Sequence, residues 1–597
     1  MTKHEDEQMF RLGIKRIAII GLTMLLSLVG LSVAFAQGMI ILDIQRISVA
    51  SNGTQANSGS ILAAISADGR YVAFESAASN LVSGDTNGVR DIFVHDRQTG
   101  QARVSVASDG TQANGNSFRA AISADGRYVA FESAASNLVS GDTNGVRDIF
   151  VHDRQTGQTS RVSVASDGTQ GNGNSTQAAI SADGRFVAFE SAASNLVSGD
   201  TNNVSDIFVH DRQTGQTARV SVASDGTQGN EASSQSVISA NGRIVTFISI
   251  SNNLVSGDTN NSTDVFVHDR QTGQTTRVSV ASDGTQANTI SLDTAISADG
   301  RYVAFESLAS TLVSDDTNGV TDIFVHDRQT GQTTRVSVAS DGAQANGTST
   351  FAAISADGRY VVFDSVAFNL VSGDTNSLFD VFIHDRQTGR TSRISVALSG
   401  VQGNNGSQRP AISADGRFVG FESTASNLVS GDTNNVSDIF VVEPLDTVPA
   451  VIGVLPSSGD LNVPRSVSIR VNFNEVVNFS PASFTLTCNG VPRTFSLNSS
   501  PNRVVILTPT IQLPANATCT VTAIADEITA VSDSDKLAGN LTFSFSTTAP
   551  TGKLETIGIF RPSDTTFYLR NSNTTGSADF SILFGDSSDL PVAGDWN

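Results

Sequence analysis

Apolar and polar residues alternate in short bursts along most of this chain, and the bursts return at a fixed interval. Residues 63–66 form a brief apolar segment closed by an Ala67-Asp68-Gly69 turn. Residues 70–76 (Arg-Tyr-Val-Ala-Phe-Glu-Ser) are rich in β-formers, and residues 91–96 (Asp-Ile-Phe-Val-His-Asp) predict a further strand beyond a polar loop at 77–90. Arg97-Gln98-Thr99-Gly100 reads as a hairpin turn, with glycine supplying a positive φ, and residues 101–107 as a fourth strand. The middle strands are apolar at consecutive positions. Both of their faces must therefore be covered, as in sheets stacked between sheets.

The four-strand unit recurs. The residue before its turn glycine falls at Asp68, Asp125, Asp183, Asn241, Asp299, Asp357 and Asp415, at spacings of 57 and then 58 residues. Seven copies at one period mark a repeat architecture. The region opens at 46–50 with a segment matching only the fourth strand, and closes at 438–441 with one matching only the third. That offset lets the N-terminal strand complete the last sheet, whereas an open array would leave an unpaired edge at each end. The expected fold is all-β: a seven-bladed β-propeller over residues 37–443, closed by its N-terminal strand. Ile65-Ser66-Ala67-Asp68-Gly69-Arg70 with Tyr71-Val72-Ala73-Phe74, and Asp91-Ile92-Phe93-Val94 with Thr99-Gly100, resemble the TolB-type and WD-like propeller repeats of exported bacterial proteins. The resemblance implies a fold and leaves function open, because that fold hosts binders, scaffolds and enzymes alike.

The flanks add context. Arg11, Lys15 and Arg16 precede an apolar run at 17–33 and an Ala34-Phe35-Ala36 site, so residues 1–36 read as a secretory signal peptide. A retained anchor is the alternative, since the run is long enough to span a bilayer. No later run of that kind exists, so no membrane span is expected after cleavage. Residues 444–450 read as a linker and 451–548, with several short alternating strands, as an Ig-like β-sandwich. Asn462-Val463-Pro464, Leu513-Pro514-Ala515 and Ala538-Gly539-Asn540 resemble the bacterial Ig-like domain of surface-layer proteins, which implies a spacer or attachment module. Residues 549–597, with Ile557-Gly558-Ile559-Phe560-Arg561 and Pro591-Val592-Ala593-Gly594-Asp595-Trp596, resemble one truncated FG-GAP-like C-terminal repeat.

Charge narrows the partners. The net charge is −21, and lysine occurs only as Lys3, Lys15, Lys536 and Lys553, so nucleic acid is not an expected partner. The two cysteines, Cys488 and Cys519, both lie in the exported part and predict a disulfide. The protein reads as a monomer that is secreted, periplasmic or at the cell surface.

The candidate chemistry lies in a repeated Asp-x-Asn-x-x-x-Asp loop. Its copies are Asp85, Asn87, Asp91; Asp142, Asn144, Asp148; Asp200, Asn202, Asp206; Asp258, Asn260, Asp264; Asp316, Asn318, Asp322; Asp374, Asn376, Asp380; and Asp432, Asn434, Asp438. Three oxygen-bearing side chains on one short turn suit Ca²⁺, and the loop resembles a shortened form of the calcium loops of FG-GAP and thrombospondin repeats. It lacks their central acid and the bidentate Glu of an EF-hand. The other reading is a turn in which Asp and Asn bond their own backbone. Beyond possible Ca²⁺ at these loops no cofactor is required. Glu75, Glu132, Glu190, Glu306, Asp364 and Glu422 recur after the second strand, with Ile248 in blade 4, and read as bonds to a neighbouring blade. His95, His152, His210, His268, His326 and His384 recur beside an Asp and read as structural. No nucleophile elbow, phosphate loop or zinc spacing appears. No catalytic residue is assigned. The expectation is a non-enzymatic exported binding or scaffold protein whose propeller engages an extracellular or envelope protein or glycan. The alternative is an extracellular propeller hydrolase or lyase acting on polymers.

Overall fold

The computed structural model describes residues 39–446, 451–530, 536–537 and 539–548, together with three short strands between 557 and 583. The leader and most of the C-terminal repeat lie outside the described residues. The chain divides into two compact units, residues 1–446 and 447–597. Among the described residues no helix is long and apolar enough to cross a membrane.

The first unit contains seven antiparallel four-stranded sheets; six have their strands in sequence order, and the seventh takes its outer strand from the N-terminus. In blade 2 the strands are Ser117–Ile122, Tyr128–Ser133, Asp148–Asp153 and Gln158–Arg161. Phe131 of the second strand stands opposite Phe150 of the third, with ring centroids 6.0 Å apart. The equivalent stacked pair recurs in every blade. Alternate residues of the central strands face opposite neighbours. Ile92 and Val94 of blade 1 accordingly share a core with Val129, Phe131 and Phe150 of blade 2. This is the physical reason for the double-sided apolar strands.

The first strands of successive blades adjoin one another around the ring, including Ser60–Ile65 of blade 1 with Ser407–Ile412 of blade 7. They therefore line a central channel. At one end of it the alanines of the Ala-Asp-Gly turns form a hoop. Ala67 N–H donates to Ala124 O, Ala124 to Ala182, and so on through Ala414 back to Ala67.

Blade 7 is completed by Met39–Arg46, which pairs antiparallel with Asp438–Asp446. Two sequence expectations shift here. Residues 444–446, read as linker, belong to that paired strand. The N-terminal strand lies at 39–46, not at 46–50. In each blade the fourth strand ends at its arginine, as Gly100–Arg103 does, instead of running on to residue 107. The Val-Ser-Val-Ala segment that follows keeps its first two residues bonded to the third strand and then passes to the outer strand of the next blade. In blade 2 Thr159 Oγ1 donates to Val106 O at 2.6 Å, and Thr159 N–H donates to Ser108 Oγ at 3.0 Å. Covering an outer strand in this way protects an edge that would otherwise template aggregation. The 57-residue first spacing has its cause in a blade 1 hairpin one residue shorter, which pairs Asp96 with Gly100 where blade 2 pairs Asp153 with Gln158.

In the second unit two sheets face each other. One holds Val451–Leu455, Ile469–Asn478, Asn502–Pro509 and Phe495–Leu497, and the other Val491–Pro492, Phe484–Cys488, Thr518–Ala523 and Leu541–Ser546. Val471, Phe473, Leu486, Val505, Val521 and Phe543 are buried between them. Cys488 and Cys519 are cross-strand partners and form a disulfide. Ile557–Arg561, Thr566–Arg570 and Phe580–Leu583 make a three-stranded sheet.

Candidate functional site at the channel mouth

The repeated Asp-x-Asn-x-x-x-Asp loop brings its residues together, but around an arginine. In blade 1, Arg103 Nη1 lies 3.1 Å from Asp85 Oδ1 and 3.5 Å from Asp91 Oδ2. Asn87 donates its amide to Asp91 at 2.9 Å, and Ser105 Oγ donates to the other Asp91 oxygen at 2.5 Å. Arg161, Arg219, Arg277, Arg393 and Arg46 each reach both aspartates of their loops, at Asp142/Asp148, Asp200/Asp206, Asp258/Asp264, Asp374/Asp380 and Asp432/Asp438. In blade 5, Arg335 reaches Asp316 and Asp315, while Asn318 donates to Asp322. Burial pushes the Asp91 carboxyl up, against the bonds from Ser105 and Asn87 and the charge of Arg103. This donor set does not suit Ca²⁺. The guanidinium already supplies the positive charge, and the Asn turns its NH₂ towards the acid. Among the described residues no group of three acids, His or Cys is placed to hold a metal. As the side chains stand here, each loop is an arginine-centred turn.

The histidines are also inter-blade fasteners. His152 Nδ1 lies 2.9 Å from Thr159 Oγ1, whose proton goes to Val106 O. His210, His268, His326 and His384 repeat the relay with Thr217, Thr275, Thr333 and Thr391. Burial lowers their pKa values, that of His384 to about 4. In blade 1 Gln101 takes the threonine's place. In blade 7 the register sets Val442 opposite Ile44, and the relay gives way to apolar packing with buried Val396.

The repeated acids each clamp the neighbouring blade. Glu75 accepts from Arg119 N–H at 2.9 Å, Glu132 from Gln177, Glu306 from Phe351, Asp364 from Arg409 and Glu422 from Leu62. Glu190 takes the backbone bond of Gln235. Blade 4 has Ile248 instead, and there the side chain of Gln235 accepts from Asp293 N–H at 3.2 Å. Every clamped residue sits in a bulge of the first strand with positive φ: Leu62, Arg119, Gln177, Gln235, Asp293, Phe351 and Arg409, between 34° and 57°. For an L-residue this conformation costs roughly 1–2 kcal/mol. Glycine would adopt it freely, yet none of the seven is glycine. The fold holds a side chain at this point against strain, which makes the position a candidate for function.

These seven residues were missed by sequence reasoning, which searched for what repeats. They are signalled by what does not. Flanked by the near-constant Ser and Ile-Ser-Ala strings, this position reads Leu, Arg, Gln, Gln, Asp, Phe, Arg. The preceding position reads Ile, Phe, Thr, Ser, Leu, Thr, Gln. The other variable positions gather at the same end. Those after the second strand (Ala77, Ala134, Ala192, Ile250, Leu308, Val366, Thr424) adjoin the start of the first strand, as Leu308 N–H to Ile290 O shows. Arg90 and Arg147 flank the Phe118 ring at 5.9 and 5.1 Å. The mouth of the channel is thus individual in each blade, while the opposite hoop is the same alanine seven times.

The mouth is also lopsided. Arg90 pairs with Glu75 at 2.5 Å, Arg147 with Glu132 at 3.5 Å and Arg409 with Glu422 at 3.1 Å, all in blades 1, 2 and 7. Among the described residues no cation pairs with Asp293 or Glu306 of blade 5. Burial raises Asp293, and Arg119 and Arg409 from other blades pull against that rise. Burial, then the charges of Asp293 and Asp364, push Glu306 up to about 7, and burial also pushes Asp364 up to about 7.

Residues 446–547 match the bacterial Ig-like domain family. No curated protein matches the chain. Among solved structures it is similar to a putative TolB from Agrobacterium tumefaciens, 13% identical over 67% of this chain and 98% of that one, with a TM-score of 0.29. The RRP9 WD40 repeats are 10% identical over 68% of this chain and 99% of theirs, at 0.37. A puromycin-hydrolyzing peptidase of Mycobacterium tuberculosis is 11% identical over 87% of this chain and 63% of its own, at 0.37. The described strands and the domain match define a seven-bladed β-propeller joined to a bacterial Ig-like domain.

Proposed function

We propose that this is an exported, non-enzymatic binding or scaffold protein acting in the periplasm or at the cell surface. Its propeller presents the channel mouth to an envelope protein or glycan, and the Ig-like domain spaces or attaches it. The observation that carries the reading is the convergence of the blade-to-blade differences on one end of the channel, set on strained backbone, while the other end is uniform. The disulfide supports an oxidising compartment. The test is retention of the purified full chain on isolated cell-envelope material. Replacing Arg119, Leu308 and Phe351 together by serine should lower retention about tenfold or more, as loss of interface anchors does, with the melting transition kept. Replacing the exposed turn residues Asp68, Asp125 and Asp183 by asparagine at the opposite end should leave it unchanged. Equal retention of both variants would overturn the reading.

A further inference from the structure

Resting on that reading of the mouth as the binding face, the structure points to its occupant. We infer that the arc of the mouth formed by blades 4–6 docks a basic polypeptide segment with apolar side chains beside its cationic ones. Ile250, Leu308, Phe351 and Phe368 are 46%, 42%, 38% and 60% exposed there. At the positions of Ile250 and Leu308, blades 1–3 carry alanine, and at the position of Phe368 they carry serine. Large apolar side chains thus stand in water on three successive blades of an otherwise repetitive ring, and exposed apolar surface of this kind marks a docking surface. Charge complementarity selects the partner. Asp293 and Glu306 adjoin the patch, since Glu306 accepts the Phe351 amide and shares its environment with Asp293. Neither has the arginine that neutralises Glu75, Glu132 or Glu422 on the other arc. A lysine or arginine side chain from a partner would supply that charge, with its aliphatic stem or neighbouring residues against Leu308 and Ile250. The overall charge of −21 would steer such a partner inwards. A neutral glycan fits less well, because the patch offers aliphatic side chains and phenylalanines without the polar ring edges of Tyr or Trp.

The test titrates the full chain with a fluorescent decapeptide of alternating lysine and leucine, a glutamate–leucine counterpart and a neutral oligosaccharide. The Lys–Leu peptide should bind, and the D293N/E306Q double variant should weaken it about tenfold or more. Leu308→Ala with Ile250→Ala should weaken it similarly. D109N/D167N removes the same net charge from exposed loops elsewhere and should leave affinity within about twofold, since exposed charges at a distance are screened. Equal losses in the two charge variants would reduce the binding to general attraction and overturn the inference. Binding of the oligosaccharide or the Glu–Leu peptide, lost in the Leu308/Ile250 variant, would overturn the basic-peptide inference and keep the mouth as the binding face. If no probe binds while envelope retention still falls in the mouth variant, the inference fails alone. If retention is also indifferent, both fail.

Discussion

Gly126 gives the most direct measure of how neighbouring blades lock together. It has φ +71°, and a Cβ added there would fall 2.0 Å from Cδ2 of Tyr71 in the preceding blade. That ring has little room to yield, because Arg70 and Arg154 stand over it at 4.8 and 4.4 Å. Arg154 is further fixed by donating to Gly126 O at 2.6 Å. Gly126→Ala therefore imposes two costs. A left-handed alanine costs about 1–2 kcal/mol. Displacing the ring costs about 1–3 kcal/mol in overpacking, plus part of two cation–π contacts of about 0.5–1 kcal/mol each. The expected loss is about 3–5 kcal/mol. With Tyr71→Ala already present the clash is gone and only the backbone cost remains, so the two substitutions should couple by about 2–3 kcal/mol. Gly141 supplies the control, with φ +78° and nothing within 4 Å of an added Cβ. Gly141→Ala should cost only about 1–2 kcal/mol. Equilibrium urea unfolding of the full chain, followed by far-ultraviolet circular dichroism, reads all four variants. The reasoning is refuted if Gly126→Ala costs no more than Gly141→Ala, or costs the same with and without the Tyr71 ring.

Three further outcomes follow from the charges and the crosslink. Glu306 and Asp364 both titrate near 7 in the fold, well above their unfolded values. The folded state therefore holds protons that the unfolded chain releases, so this stability is present at low pH and is lost as pH rises from about 4 to about 7, by up to about 3–4 kcal/mol per group. E306Q should flatten that slope in urea midpoints between about pH 5 and 8, and an unchanged slope would refute the assignment. Saturating Ca²⁺ against chelator should leave the propeller melting transition in place, because Arg161 and its equivalents already occupy the acidic loops; a rise would show that the guanidinium can be displaced. Reduction of Cys488–Cys519, 31 residues apart, should destabilise the Ig-like domain by about 3–4 kcal/mol by freeing the unfolded chain, measured as a shift of its calorimetric transition.

The ring was legible in the sequence because period outranks propensity. Seven returns of one string fixed the blade number, and the offset at the chain ends predicted a closing N-terminal strand, although that strand lies upstream of the segment that signalled it. Local propensity misled where tertiary contact decides. Residues 104–107 read as strand, yet the regular strand stops at Arg103: Val104 and Ser105 still bond Ile92, while Val106 and Ser108 accept from Thr159 of the next blade. The oxygen count that suggested Ca²⁺ was made within one loop. The arginine that answers them lies on another strand, as Arg103 does for Asp85 and Asp91. The bulge was invisible because positive φ is signalled by glycine, and Arg119 or Phe351 gives no such sign.

The blade 7 seam has a consequence for how the chain finds its own end. Six third strands end in nearly the same His-Asp pair, so by sequence alone the strand at 39–46 has several docking berths. Only one is apolar at the decisive place, where Val442 meets Ile44. Landing on Asp380–Asp385 instead would set Ile44 against His384 and strip that imidazole of the Thr391 hydroxyl. A buried polar group left without a partner costs about 1–3 kcal/mol. Replacing a hydrogen bond by grease at this one joint thus acts as an address label, directing the strand to a single berth among near-identical ones.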